Sequence, residues 1–450
     1  MQRRRFLTAT GAAGLAGSAG LLSLLSNQGS AAASDYRAVV VVFLDGGNDG
    51  HNCLVPTDAT YNAYQAARAN LALPKNSLAA LAGSSAGHTF GLHPALAPLV
   101  PLYNERRLAW IANAGPLIEP ATAGQVLDNA VEVPPFLMSH SDQVAIQQGW
   151  TVQDDMSGWA GRGLELLPSV LRNPISAVTT TTSRTLVLGR RSAVSFMPED
   201  GARWWGSADL TRPEQLQVQS INRMAQWQFA NAYEAEYART LGGAVADSSR
   251  FARALQKASA PSGDFGNGWM ARQLRTVATG LPVFKADGLK RQVFLVSEGG
   301  YDTHANQRGS GETTQDALLA GLSKSLTAYD QHLRAMGMDE NVVTIVMSDF
   351  GRTLRPGSGG GSEHAWGNHW FAFGGPVAGG QVLGAFPQPI LGGPEDSDPG
   401  RNGRLVPAVA TDQVGASLMQ WLGLPANLFH EVFPNLVNFS QKTIPLLRTA

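Results

Sequence analysis

Metal-binding residue types occur together in a glycine-rich segment, residues 344–375. An apolar, β-branched run ends at Asp349, and a glycine-rich loop carrying Glu363, His364 and His369 follows it. The run predicts a buried strand. Open α/β sheets hold ligands where a carboxylate ends a strand and polar groups lie on the next loop. The segment is therefore a candidate metal or ligand site, and the alternative is a solvated loop with incidental histidines.

Two other predicted strands end in polar loops of the same kind. Arg37–Leu44 is a nearly continuous β-branched run, which is typical of a strand buried in a parallel sheet, and Asp45 follows it directly. Residues 292–296 form a second run, and the loop after it carries Asp302 and His304. Because the carboxyl ends of parallel strands share one edge of a sheet, we expect these side chains to converge with those of the first segment.

Carboxylates brought this close repel one another unless protons or cations compensate their charge. A mixture of aspartate and histidine ligands favours zinc or manganese. Calcium, which prefers ligands that are all oxygen, is the alternative. The predicted metal ligands are Asp45, Asp302, His304, Asp349, His364 and His369.

A Pro-rich loop after another predicted strand, residues 108–112, carries the run Ser139-His140-Ser141-Asp142. A hydroxyl, an imidazole and a carboxylate within so short a run form a candidate neighbourhood for a nucleophile. A serine that caps the start of a helix explains the same run equally well.

The composition suits a loop-rich α/β enzyme. The chain has 450 residues, of which 44% are hydrophobic and 15% charged, with 50 glycines. A formal net charge of −1 gives no indication of nucleic acid or an anionic membrane as a partner. Cys53 is the single cysteine, so an internal disulfide is excluded.

The N-terminus resembles an export signal. Arg3, Arg4 and Arg5 precede a Gly/Ala-rich apolar stretch, and residues 31–33 offer a small-residue cleavage site. The arginine pair predicts a twin-arginine signal peptide over residues 1–33 and the twin-arginine export machinery as a partner; an ordinary secretory signal is the alternative. We expect a periplasmic or secreted protein without a stable membrane span, since no later run reaches about 20 apolar residues.

The remaining pattern predicts one α/β domain over residues 34–450, built on a mixed, mostly parallel sheet flanked by helices. Residues 175–188 are expected to be rich in strand. Residues 210–241 are expected to form a long helix within a helical insertion at about residues 192–282. Residues 313–336 and 408–422 show helical periodicity.

The whole mature chain resembles a secreted bacterial family known as domain of unknown function 1501. The resemblance rests on LDGGNDG, LHPALAPL, GYDTHANQ, SDFGR and the loop through His364. That family is similar to the alkaline phosphatase superfamily, which includes sulfatases and cofactor-independent phosphoglycerate mutases. The resemblance implies an alkaline-phosphatase-like sheet and one or two metal ions beside a Ser, Thr or formylglycine nucleophile.

By position, the resemblance makes Asp45, Asp302 and Asp349 the metal aspartates of this chain. His364 matches the last metal histidine, and Ser139 follows the second strand, where the nucleophile of the superfamily stands.

Several positions depart from the superfamily pattern. Phe350 stands where the histidine of an Asp-His pair is usual, and Asp302-x-His304 replaces a longer spacing that would reach Asn306. Ser139 also lacks the Cys-x-Pro-x-Arg context of formylglycine sulfatases. These departures argue against such a sulfatase and favour a one-metal or altered site over a complete two-zinc site.

Two functions follow as hypotheses. The first is a metal-dependent hydrolase of phosphate, sulfate or related anionic esters on small molecules or polymers, in which Ser139 attacks and Arg352 steadies the oxyanion. The second is a non-catalytic periplasmic binding or assembly protein on the same fold with a degenerate or structural metal site, which Phe350 would favour.

Overall fold

The computed structural model describes residues 35–149, 155–197, 199 and 213–448. The predicted signal peptide over residues 1–33 and the start of the predicted helix at residue 210 lie outside these ranges. No helix in the described part of the chain combines the length and the apolar character that crossing a membrane requires.

The strands follow one another along the chain with long connections between those of the centre. They are β1 (Arg37–Leu44), β2 (Leu54–Pro56), β3 (Ala79–Ala80), β4 (Phe90–Leu92), β5 (Leu108–Gly115), β6 (Ala177–Thr179), β7 (Ser195–Phe196), β8 (Arg291–Glu298), β9 (Val342–Ser348), β10 (Arg352–Pro356), β11 (Ser362–His364), β12 (Asn368–Phe373), β13 (Gln381–Leu383) and β14 (Val409–Ala410).

Nine strands form one central sheet in the order β13-β5-β12-β9-β1-β8-β6-β7, with β14 also paired to β5. Strand β12 runs antiparallel to both of its neighbours, and the other pairs are parallel. The predicted mixed, mostly parallel sheet is therefore confirmed. Strands β10 and β11 form a small separate hairpin-like pair, and β2, β4 and β3 form a third sheet.

The helices are α1 (Gly50–Cys53), α2 (Tyr61–Arg68), α3 (Val100–Asn104), α4 (Ala123–Leu127), α5 (His140–Gln147), α6 (Trp159–Glu165), α7 (Pro213–Met224), α8 (Ala232–Lys257), α9 (Trp269–Ala286), α10 (Gln315–Ala335), α11 (Thr411–Trp421) and α12 (Phe429–Val432). Short 3-10 segments include Pro94–Leu99, where the prolines of LHPALAPL interrupt regular α-helix.

Both faces of the sheet are buried. In β1, Val40 and Val42 point into a core formed with α9 and α10, while Val39 and Val41 point into a second core formed with α6 and α11. Alternate residues of a strand face opposite sides, so a strand covered by helices on both sides must be apolar throughout. This explains the unbroken valine run of the sequence.

The carboxyl ends of the three central strands are level with one another. Leu44 of β1 lies opposite Glu298 of β8 on one side and opposite Ser348 of β9 on the other. Asp45, Asp349 and the loop after β8 therefore leave the sheet at the same edge, as the sequence predicts.

Two predicted elements differ from the structure. Strand in residues 175–188 is limited to β6, because the Thr179 hydroxyl donates to the carbonyl groups of Thr181 and Ser183 and bends the chain away from the ladder. The long helix predicted from residue 210 is divided into α7 and α8, and the Asn231 side chain caps the start of α8.

Helix α9 covers one face of the sheet, and its buried side includes Leu274, Val277 and Leu281. The predicted insertion boundary at residue 282 thus falls inside a helix of the core.

Candidate metal centre

Three histidines turn their Nε2 atoms toward the carboxylate of Asp302. His304 Nε2 and His364 Nε2 each lie 3.1 Å from Asp302 Oδ1. His140 Nε2 lies 3.4 Å from Asp302 Oδ2, and the Nε2 atoms of His304 and His364 are 2.9 Å apart. Three imidazole nitrogens, from three separate segments of the chain, therefore face one carboxylate.

The other ring nitrogen of each histidine faces an oxygen of the protein. The Nδ1 partners are Asp349 Oδ2 for His140 at 2.8 Å, Glu363 Oε2 for His304 at 2.7 Å, and the Met138 carbonyl oxygen for His364 at 2.8 Å. Carboxylate and carbonyl oxygens accept hydrogen bonds, so each neutral ring carries its proton on Nδ1 and directs the Nε2 lone pair toward Asp302. Histidine ligands of metal ions are held in this way.

The donor set fits a divalent cation. One ligand atom each from His140, Asp302 and His364 lies within 4.8 Å of the others. His140 Nε2 is buried and forms no hydrogen bond with any described residue. Two lone pairs as close as those of His304 and His364 repel each other, and a cation between them removes that repulsion. Imidazole nitrogens with one carboxylate match the ligand preferences of zinc and manganese.

Asp349 lies next to this group but faces away from its centre. Its Oδ1 accepts hydrogen bonds from the backbone amide groups of Gly46 at 3.2 Å and Gly47 at 2.5 Å, and from the Ser348 hydroxyl at 3.0 Å. The carboxylate is fully buried. The structure thus places this predicted ligand where it orients His140.

Asp45 is likewise outside the converging group. Burial, with the charge of Asp349, raises the pKa of Asp45 to about 6, although a hydrogen bond from Ser297 and the nearby His140 act in the opposite direction. Burial and the neighbouring carboxylate thus both favour the protonated form of Asp45.

Arg352 lies beneath Asp302. Its fully buried guanidinium donates to Asp302 Oδ1 and to the Gly46, Gly47, Tyr301 and Ser362 carbonyl oxygens. Burial raises the pKa of Asp302, but the hydrogen bond and charge of Arg352, with contributions from His364 and His304, outweigh it and lower the pKa to about 2. Arg352 thus fixes the two strand-exit loops and keeps Asp302 ionised; its predicted contact with substrate stays a prediction.

Ser139 stands at the N-terminal end of α5, directly before His140. It does not cap the helix backbone with its side chain. Its hydroxyl donates to the Asp142 carboxylate instead and lies 3.3 Å from Ser141 Oγ. The residue before it, Met138, has a left-handed backbone (φ 72°), which a methionine rarely adopts without a structural reason.

His369 is not brought into the group. Its Nδ1 accepts a hydrogen bond from the Asn113 amide at 3.0 Å, and its ring stacks on Phe386 with the centroids 5.0 Å apart. Burial, and then the nearby His51, lowers the pKa of His369 well below its usual range. This predicted ligand is a neutral ring packed inside the protein, because it lies within β12 and not in the loop before it.

The Phe350 ring is buried beside the centre. Its centroid lies 4.8 Å from that of His140 and 4.6 Å from that of His364. Gly47 has a positive φ and lies close to the same ring. A Cβ atom at Gly47 would lie 2.3 Å from Phe350 Cε2 and would overlap the ring. Phe350 thus packs against two of the converging imidazoles as an apolar wall.

The sequence does not reveal the roles of His140 and Glu363. His140 follows the candidate nucleophile directly, which is the one signal that could have drawn attention to it. Glu363 directly precedes the predicted ligand His364 in β11, so the two side chains point to opposite faces of the strand. Its position in the sequence therefore does not distinguish it from an ordinary glutamate exposed to solvent.

Three solved structures illustrate what the chain is similar to. The PsFucS1 sulfatase from Pseudoalteromonas sp. is 9% identical, with 95% of this chain and 76% of that chain covered and a TM-score of 0.36. The lipoteichoic acid synthase LtaP from Listeria monocytogenes is 9% identical, with 88% of this chain and 74% of that chain covered and a TM-score of 0.35. The C-terminal periplasmic domain of EcEptC from Escherichia coli, in complex with Zn, is 9% identical, with 76% of this chain and 74% of that chain covered and a TM-score of 0.31. Likeness at this level assigns no activity to this chain. No curated protein matches it.

A family model described as a protein of unknown function, DUF1501, matches residues 36–393. The matched segment includes β1, α5 and the loops after β8 and β9, and so every residue of the candidate metal centre. The chain therefore belongs to the DUF1501 family.

Proposed function

We propose that this protein is an exported, metal-dependent hydrolase of phosphate, sulfate or related anionic esters, with Ser139 as its nucleophile. One observation carries the proposal: three imidazoles, each fixed through Nδ1, direct their Nε2 atoms at the carboxylate of Asp302. Histidines that bind metal ions are commonly fixed through the other ring nitrogen in this way, and three neighbours share the arrangement.

The charges around the centre indicate which substrates it can accept. Four carboxylates lie at or beside it, those of Asp45, Asp302, Asp349 and Glu363, and the guanidinium of Arg352, which contacts Asp302, is buried. Without a cation, this surface repels an anionic ester. A divalent cation held by Asp302 and the imidazoles reverses the local charge and allows an anionic group to bind.

His140, Asp302 and His364 would hold the ion, with His304, whose Nε2 lies beside Asp302 and His364, as a fourth ligand. When bound, a divalent cation supplies a Lewis acid that stabilises negative charge on ester oxygens and lowers the pKa of a hydroxyl nearby. Nitrogen-rich ligation favours zinc or manganese over calcium. The side chains of the four ligands are between 21% and 44% exposed, so substrate can approach the centre from solvent.

Ser139 and Asp142 would carry out the proton transfer. The Ser139 hydroxyl donates to Asp142, so the carboxylate is placed to take the proton as Ser139 Oγ bonds to phosphorus or sulfur and the ester oxygen leaves. Hydrolysis of the resulting seryl ester by water would restore the hydroxyl. The Met138 carbonyl, bound to His364, connects the segment before Ser139 to the metal ligands.

We further propose that the protein acts in the periplasm or outside the cell after twin-arginine export. The support is the arginine-led N-terminal sequence.

The test is turnover of aryl phosphate, phosphodiester and sulfate substrates by the mature protein with zinc, manganese or calcium added. We expect metal-dependent hydrolysis that Ser139→Ala abolishes. Ser84→Ala, an exposed change in the loop between β3 and β4, is the matched control and should keep the activity. A protein that binds metal but hydrolyses none of these esters would support the binding-protein hypothesis instead.

A further inference from the structure

We infer that the centre binds a single metal ion and that Asp349 is a positioning residue for the ligand His140. The inference rests on the metal-binding part of the proposed function and adds how many ions bind and which carboxylates are not ligands. It departs from the expectation drawn from the sequence that Asp45 and Asp349 bind a metal ion.

The hydrogen bonds of Asp349 leave it no capacity for a metal ion. Both carboxylate oxygens are in use: Oδ1 accepts from two backbone amide groups and a hydroxyl, and Oδ2 faces His140 Nδ1 at 2.8 Å and the Gly46 amide at 3.3 Å. A cation at this carboxylate would have to displace these donors from a fully buried position. Backbone amide groups cannot turn away without moving the loop after β1.

The neighbours of Asp349 do not supply ligands for a second ion either. Asp45 offers one carboxylate, which also interacts with the Ser297 hydroxyl. Phe350 turns an apolar ring toward His140 and His364, where a ligating side chain would otherwise reach. A divalent ion bound by protein requires several ligands. Asp45 alone, among the described residues on this side of the centre, does not provide them.

Helix α5 is built to keep His140 against Asp349. Three residues on one face of the helix contact Asp349: His140 binds its carboxylate, and the Gln143 and Gln147 side chains donate to its carbonyl oxygen at 3.3 Å and 3.0 Å. Both glutamines are fully buried. Because residues three and four apart share a helix face, this spacing directs one side of α5 at a single residue.

The experiment measures metal content by elemental analysis and affinity by chelator competition on the mature, folded protein. The wild type should hold one equivalent of zinc or manganese. Asp349→Asn should still hold one equivalent, with about 10- to 100-fold weaker affinity and a shifted visible absorption spectrum when cobalt is bound, because the oriented imidazole loses its carboxylate partner. Asp45→Asn should hold one equivalent with affinity within about twofold of the wild type, as expected for a residue outside the ligand group.

Two equivalents in the wild type, loss of an ion from Asp45→Asn, or unchanged affinity in Asp349→Asn would each overturn the inference. If Asp349→Asn does not fold, His140→Gln provides the second test: it should keep the fold and weaken the one ion, and unchanged affinity would again contradict us. One bound ion without ester hydrolysis would refute the proposed activity and leave this inference standing.

Discussion

His140 and Asp349 lie 209 positions apart in the sequence, yet His140 Nδ1 is 2.8 Å from Asp349 Oδ2. His140 begins the short helix α5, and Asp349 directly follows β9. Their contact joins the candidate nucleophile segment to the sheet edge that holds Asp302. The geometry of the candidate metal centre therefore depends on how α5 docks.

Glu363 should act on the metal through His304. Replacing Glu363 with glutamine removes the charge that faces His304 Nδ1 at 2.7 Å, and we expect metal affinity to fall by about 10- to 100-fold. Chelator competition measures the change, and circular dichroism should show an unaltered fold because Glu363 is exposed. Glu340→Gln, an exposed change at 3-10 segment Asp339–Asn341, is the control. Equal affinities for the two variants would contradict the role.

Gln147 should contribute to both stability and metal affinity. Its amide donates to the Asp349 carbonyl, and its Oε1 accepts from the Thr411 hydroxyl, all in a buried environment. Gln147→Leu leaves the buried Thr411 hydroxyl without this acceptor and leaves the Asp349 carbonyl with Gln143 as its remaining side-chain donor, so we expect the free energy of unfolding to fall by about 1–3 kcal/mol. Denaturant titration and chelator competition measure the two effects. A loss of stability without any loss of metal affinity would show that the docking of α5 through Gln147 does not affect the metal centre. Gln388→Leu, at an exposed site, should change neither.

His369 should be dispensable for metal binding. His369→Leu removes the acceptor of the Asn113 amide, so we expect a loss of about 1–3 kcal/mol of stability with metal content unchanged. Thermal unfolding and elemental analysis of the same preparation test both parts. Loss of the ion from a folded His369→Leu protein would restore this histidine to the ligand set.

Asp412 should make stability depend on pH. It lies in the first turn of α11, where burial raises its pKa to about 7 despite the opposing charge of Arg162, and its Oδ2 has no hydrogen-bond partner among the described residues. The folded protein therefore holds a proton that the unfolded chain releases near pH 4. The stabilisation is present at low pH and is lost as the pH rises from about 4 to about 7.

Asp412→Asn removes this dependence. The variant should be close to the wild type in melting temperature at pH 4 and more stable at pH 8, and other titrating groups cancel in the comparison. Each unit of pKa shift corresponds to about 1.4 kcal/mol at most. A difference in melting temperature that is the same at both pH values would contradict this account.

The sequence was sufficient to predict the parts of the site that follow from strands. The valine run of β1 and the apolar runs of β8 and β9 are buried on both faces, so their position in the sheet and the common edge of Asp45, Asp302 and Asp349 could be predicted. His304 and His364 lie in the loops that leave or flank that edge and were predicted with them.

The remaining features depend on packing at long range. The turn after β1 decides whether Asp349 faces the candidate metal position or the backbone amide groups of Gly46 and Gly47. The sequence is compatible with both arrangements. The role of His140 depends on the docking of α5, and that of His369 depends on β12 beginning at Asn368, which places His369 inside the strand. None of these relationships leaves a periodic signal in the sequence.

The central position of β1 has a consequence for how this protein folds. Arg37 pairs with Arg291, and Ala38 pairs with Val342, so the middle of the sheet closes only when segments far apart in the chain have met. Contacts of such high sequence separation form slowly, because the intervening chain loses its freedom before the pairing stabilises it. The proposed metal ligands come from three separate segments of the chain, so the candidate centre is complete only after those segments have met. Bound metal would thus report that the whole chain has reached its native topology.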